Sequence, residues 1–330
     1  MDSASVPPSP APAKGSLLRP LGKPLGQSGR AEAAPPGRLA GETGGPRLVS
    51  LNWAEQDIEN RWGLFQGGRY TNINKGFSFL LAAISASGFM GLMFVCYQST
   101  GPLHRLGQAF VRENNLPATI PATLFFFWGS ITAILKMFKL WLQRRALDLA
   151  AVPQSQAFYL NEATAKTVLE RMRSLVDDTR HFILLNRIDR ALSSLHNIGG
   201  VSDVSAILKS QADNDENHIA SSYALIHAMI WAIPVLGFVG TVLGLSLAMG
   251  KFNVNASDAA QMRESLGPVV SGLSTAFETT LVGLVFALLL HLLSDLVQQK
   301  ETAFMDECND YCHAHVVSKL RVRKADLSGP

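Results

Sequence analysis

The stretch Trp231–Gly244, WAIPVLGFVGTVLG, and the later stretch Gly272–Gly283, GLSTAFETTLVG, decide the fold of this chain. Each lies within a run long enough to cross a bilayer, yet both are crowded with Gly, Ser and Thr. A helix that faces lipid has no need of such residues. Small residues let helix backbones approach closely, and hydroxyls supply hydrogen bonds where water is absent. Glu278 sets a carboxyl group near the middle of the second run. An ionisable group at that depth is costly and marks a candidate functional site.

The same apolar character recurs in blocks outward from these stretches. No charged residue falls between Lys75 and His104, or from Asn114 to Leu135. Only two histidines interrupt residues 217–250, and only Glu278 and one histidine interrupt 265–294. A helix needs about 20 apolar residues to span the hydrocarbon core, so four spans are predicted, near 76–98, 120–142, 224–250 and 267–294. The chain reads as an all-α polytopic membrane protein, with a first transmembrane pair over 76–142 and a helical cytoplasmic segment over 143–222. That composition excludes a soluble enzyme. No phosphate-cradling glycine loop or nucleophile motif appears, so neither catalysis nor a cofactor is expected.

Orientation follows from Lys and Arg close to the spans. Arg61, Arg69 and Lys75 precede the first; Lys136, Lys139, Arg144 and Arg145 mark the end of the second; Lys300, Lys319, Arg321, Arg323 and Lys324 follow the fourth. The loops 99–119 and 251–266 carry two such residues each. Both termini and the 143–222 segment are therefore expected in the cytoplasm. The net charge of +3 reflects this arrangement and gives no argument for nucleic-acid binding.

Residues 1–47 hold nine of the sixteen prolines and no aromatic residue, which predicts a disordered Pro/Gly/Ala-rich arm. In the segment 48–75, Trp53, Ile58, Trp62, Leu64 and Phe65 stand among charges. Such a pattern suits an amphipathic helix at the membrane interface, a packed cytoplasmic turn being the alternative. Val168, Leu169, Met172, Leu175 and Val176 repeat at helical steps. Asn197-Ile-Gly-Gly200 breaks the pattern, and Ser202 is placed to cap a helix carrying Val204, Ile207 and Leu208. The run Asp213–Glu216 lacks the glycine and distal glutamate of a calcium loop and reads as a solvated acidic face. In the tail, 299–330, Cys308, Cys312 and His315 share a helix face. Zinc-site spacing is absent and thiols stay reduced in the cytoplasm, so no metal is expected.

Within the third span, Pro234 removes a backbone hydrogen bond and can kink the helix. Gly237, Gly240 and Gly244 repeat at three- and four-residue steps, with Thr241 beside them. Tight packing and a conduction path are both open readings of that face. In the fourth span, Ser271, Thr275 and Glu278 share one face, Ser274 lies on the same side of Glu278, and Thr279 and Thr280 follow. A hydroxyl stripe ending in a carboxyl suits water and proton movement; the competing reading has Glu278 fix helix packing.

Pro234, Gly237, Gly240, Thr241 and Gly244 resemble the third-helix pattern of the MotA/TolQ/ExbB proton-channel family, and Thr280 and Gly283 resemble the Thr-x-x-Gly step of its last helix. The likeness covers roughly Ser221–Leu293 and assigns 223–298 as the proton-channel region. It implies a homo-oligomeric ring, usually of five copies, around the single membrane helices of a two-copy MotB/TolR/ExbD-like partner. An aspartate on the partner would carry the proton, sodium being the alternative ion. Hydroxyls at Thr241 and Thr280 would line its route, and proton motive force would become mechanical work. The resemblance also implies the bacterial inner membrane. Four spans are MotA-like, whereas TolQ and ExbB proteins have three; the Pro-rich arm fits none of them. The competing function is a non-conducting membrane scaffold packed through the same small-residue faces. A neighbouring gene for a single-span protein with a membrane aspartate separates the two.

Overall fold

The computed structural model describes Trp53, Glu59 and residues 70–149, 151–153, 155, 158–195, 201–250 and 259–321. The expectations for the 1–47 arm, for most of the 48–75 segment and for the break at Asn197–Gly200 lie outside these residues. The described helices are α1 (Lys75–Gln98), α2 (Pro102–Val111), α3 (Leu116–Asp148), α4 (Glu162–Leu175), α5 (Ile183–Ser193), α6 (Val201–Gly250) and α7 (Ala259–Cys312). Outside them, a parallel bridge joins Leu160 to Leu320, the Leu160 N–H donating to the Lys319 carbonyl at 2.8 Å. Four helices, α1, α3, α6 and α7, are long and apolar enough to cross a membrane. The all-α, four-span reading is thus what the chain builds.

Local chemistry explains the ends. The Asn74 side chain accepts the Gly76 N–H and so caps α1, while Pro102 opens α2 after Gly101 at φ 116°, a backbone angle that suits glycine. Asn161 and Thr164 form a reciprocal capping box at the head of α4, satisfying two otherwise orphan donors. Helix α6 begins at Val201, so Ser202 lies inside its first turn rather than before it. The divisions set at 222/223 and 298/299 fall inside helices. Buried positions at three- and four-residue steps run from Val204 to Asp215 and from Tyr223 to Ala248 on α6, with half-buried Ile219 between them, and from Ala276 to Val316 beyond α7.

Helices α3 and α7 run parallel and α6 runs against them. Asn115 meets Glu278, Lys136 meets Glu301 and Arg144 meets Glu307, a constant register down the pair. Two cores result. One, around Ala122, Ile226, Ile233, Phe286 and Leu290, fills the apolar part, with Phe126 stacked on Phe286 at 4.3 Å between centroids. The other packs α4, α5, the start of α6 and the end of α7 around Met172, Phe182, Ile183, Leu184 and Phe304. Helix α4 buries Val168, Met172 and Leu175 as its periodicity requires.

Two readings are corrected here, and two other pairs of residues prove to be buried. Trp53 is not an interfacial side chain: it is buried in the second core, stacked on the His181 ring at 5.5 Å and edge-on to Phe182. Lys136 and Lys139, at the end of the second span, are both buried in ion pairs, with Glu301 at 3.1 Å and Glu59 at 2.6 Å. The acidic run is not wholly solvated, since Asp215 is buried against Arg187 at 2.7 Å. Cys308 and Cys312 are core residues, and burial pushes the Cys312 thiol up to about 11, so neither readily becomes the thiolate a metal needs.

Candidate functional site

The seam between α6 and α7 is built by absence of side chains. A Cβ on Gly244 would stand 2.7 Å from the Gly272 carbonyl oxygen and 3.1 Å from the Ala276 nitrogen. One on Gly240 would strike the Thr279 side chain at 2.5 Å and the Ala118 Cβ at 2.9 Å. Gly237 and Gly283 face each other across the same seam: a Cβ on Gly237 would stand 3.5 Å from the Gly283 Cα, and one on Gly283 would stand 3.2 Å from the Gly237 Cα. Backbone-to-backbone approach of this kind is what small residues permit. Pro234 sits within α6 one turn before Gly237; lacking an N–H, it leaves the Ile230 carbonyl without its usual helical donor.

Two hydroxyls meet at the edge of this seam. Thr241 Oγ1 and Thr280 Oγ1 are in direct hydrogen-bond contact, and each also reaches the Ala276 carbonyl at 3.0 Å. Both residues are half-buried. Thr279 and Thr275 lie deeper. Thr279 donates to the Thr275 carbonyl at 2.9 Å, and Thr275 is fully buried with its hydroxyl unpaired.

Glu278 faces the other way, towards the α2–α3 connection. Its carboxylate accepts from Asn115 Nδ2 at 2.8 Å and from Ser274 Oγ at 2.8 Å. Arg112 Nη1 stands 3.3 Å away in ionic contact. The stripe of hydroxyls ending in a carboxyl is therefore two groups: Thr275, Thr279, Thr280 and Thr241 on the α6 side, Ser274 and Glu278 on the α3 side. Glu278 is also level with the head of α3 rather than with its middle, since Asn115 precedes that helix.

A second polar cluster, which sequence reasoning missed, lies further along α7. Buried Glu301 accepts from Lys136 Nζ at 3.1 Å and from the Tyr223 hydroxyl at 2.7 Å, and Thr71 Oγ1 also donates to it. Three other segments of the chain converge on this one carboxylate of α7. Glu278 and Glu301 are separated on α7 by 23 residues, about 35 Å at the helical rise, close to the ~30 Å of a hydrocarbon core. The available signal was Lys136 itself, a cation inside an otherwise apolar run, but nothing local names its partner.

No curated protein and no solved structure matches the chain. A family model does match, over residues 180–309, from the turn before α5 almost to the end of α7. The glycine seam, the paired threonines and both glutamates fall inside that match, which is to the model of the MotA/TolQ/ExbB proton channel family.

Proposed function

We propose that the chain is the ring-forming, stator-like subunit of a proton channel, coupling proton motive force to mechanical work on a single-span partner of the MotB/TolR/ExbD kind. The observation that carries this reading is the Thr241–Thr280 hydroxyl contact at the edge of a glycine-lined seam. Two half-buried hydroxyls with exchangeable protons suit the wall of a hydrated route, completed by a carboxylate on the partner. Thr275 and Thr279 form a buried layer behind them, and Glu278 anchors α7 to the α2–α3 connection. Support for a homo-oligomer comes from the apolar surface left uncovered. Phe277, Leu281, Leu284 and Leu288 on α7, with Trp231, Phe238 and Val242 on α6, are exposed in the single chain. Five copies, the bacterial inner membrane and cytoplasmic termini complete the proposal.

The scaffold reading keeps one observation on its side. Glu278 is held by three partners, as a purely structural acid would be. The test is to purify the intact complex from its native membrane, identify what copurifies and reconstitute it in vesicles. Copurification of a single-span protein with a membrane aspartate, and proton uptake driven by a potential, are expected. A homo-oligomer without such a partner and without proton uptake would establish the scaffold instead.

A further inference from the structure

Helices α3 and α7 leave between them a groove of about 630 Å³ open to the surface. Ile134, Phe138 and Trp141 line it from α3 at four- and three-residue steps, and Leu293, Val297 and Lys300 line it from α7 at the same steps. Each helix thus presents one continuous side, apolar at one end and cationic at the other. The Lys136–Glu301 contact fixes the level: Lys300 lies beside the cytoplasmic-side polar cluster, with the apolar walls running away from it into the span.

The rim is positive. Lys300 is exposed and takes part in no ion pair among the described residues. Arg144 is tied to Glu307 at 2.6 Å, both side chains nearly half exposed. The Arg145 guanidinium lies 3.8 Å over the Trp141 ring. These three cations stand against Glu307 and, one turn further along α3, Asp148. Trp141 is half exposed, in the position that suits an indole at the headgroup level.

The geometry points to a binding site for an anionic phospholipid of the cytoplasmic leaflet. Its acyl chain lies against Ile134, Phe138 and Leu293, and its phosphate rests on Lys300, with Arg144 and Arg145 completing the charge. A groove between transmembrane helices with basic side chains at its cytoplasmic mouth is suited to such headgroups, and the gradient from apolar wall to cationic rim matches an amphiphile end for end. The exposed leucines of a second copy's α7, Leu288, Leu292 and Leu296, lead to another Lys300, which would set cation against cation at the rim rather than the anion the rim calls for. The site stands apart from the Thr241–Thr280 seam, so it holds whether or not the chain conducts protons.

Native mass spectrometry of the full-length complex, supplied with dioleoylphosphatidylglycerol or dioleoylphosphatidylcholine, tests this. The anionic lipid is expected to be retained in preference to the zwitterionic one. Lys300→Ala should weaken that retention roughly fivefold, the share of one basic side chain near an anionic headgroup, and Lys300→Arg should restore it. Ile134→Trp, which enlarges an exposed wall residue into the groove, should abolish it while the oligomer stays intact. Equal retention of both lipids, or retention indifferent to both variants, would overturn the assignment. So would an efficient disulfide between a cysteine at Ile134, which is exposed on the groove wall, and one on the α7 of a neighbouring copy, which would make the groove a subunit interface.

Discussion

Gly244 and Thr241 sit one turn apart on α6 and answer to different demands. At Gly244 the neighbour is backbone, 2.7 Å from where a Cβ would go, and backbone cannot swing aside as a side chain can. Gly244→Ala should destabilise the α6–α7 pair by about 1–3 kcal/mol, the usual cost of overpacking. Gly88→Ala on α1 has nothing within 4 Å and should be neutral or slightly stabilising. Thermal unfolding of the two purified variants checks the contrast, and equal melting temperatures would contradict the seam. The small-residue pattern was legible because it is periodic along one helix. The partners of Glu278 were not, because Arg112 and Asn115 lie more than 160 residues away in the chain and carry no local sign of the pairing.

At the scale of the element, helices α6 and α7 each run unbroken from the core around Phe182 and Phe304 through the apolar region. Sequence reasoning found the apolar portions by composition and the cytoplasmic helices by periodicity. It divided them at 222/223 and 298/299 because hydropathy changes there while helical geometry does not. Lys136 shows the same limit: positive charge near a span is ordinarily an orientation marker, and only packing reveals that this one is buried against Glu301. The ion pair makes a prediction. Lys136→Met strands a buried carboxylate and should cost about 3–5 kcal/mol, whereas the double variant Lys136→Met with Glu301→Gln should recover much of that loss. Unfolding in detergent measures both. If the double variant is no better than the single one, the charge on Glu301 is not what makes the loss of Lys136 costly.

The described helices form a membrane bundle with a helical extension at one end, and the orientation proposed for it is open to direct labelling. A cysteine at Asn255 should react with an impermeant maleimide added outside, and one at Lys166, which is well exposed on α4, should not. Cys96 is replaced by Ala in this test, while Cys308 and Cys312 are protected by burial. The reverse pattern would invert the topology. Conduction is the central claim, and the paired threonines bear it. Thr241→Val and Thr280→Val keep nearly the same shape, and the Ala276 carbonyl retains the other hydroxyl as a donor, so the loss in stability should be near 1 kcal/mol. The decisive measurement is potential-driven proton uptake by vesicles holding the intact complex with its partner, normalised to assembled protein. The account predicts uptake by the native complex, none by either threonine variant, and partial uptake by Glu278→Gln. Undiminished uptake by both threonine variants in normally assembled complexes would contradict it.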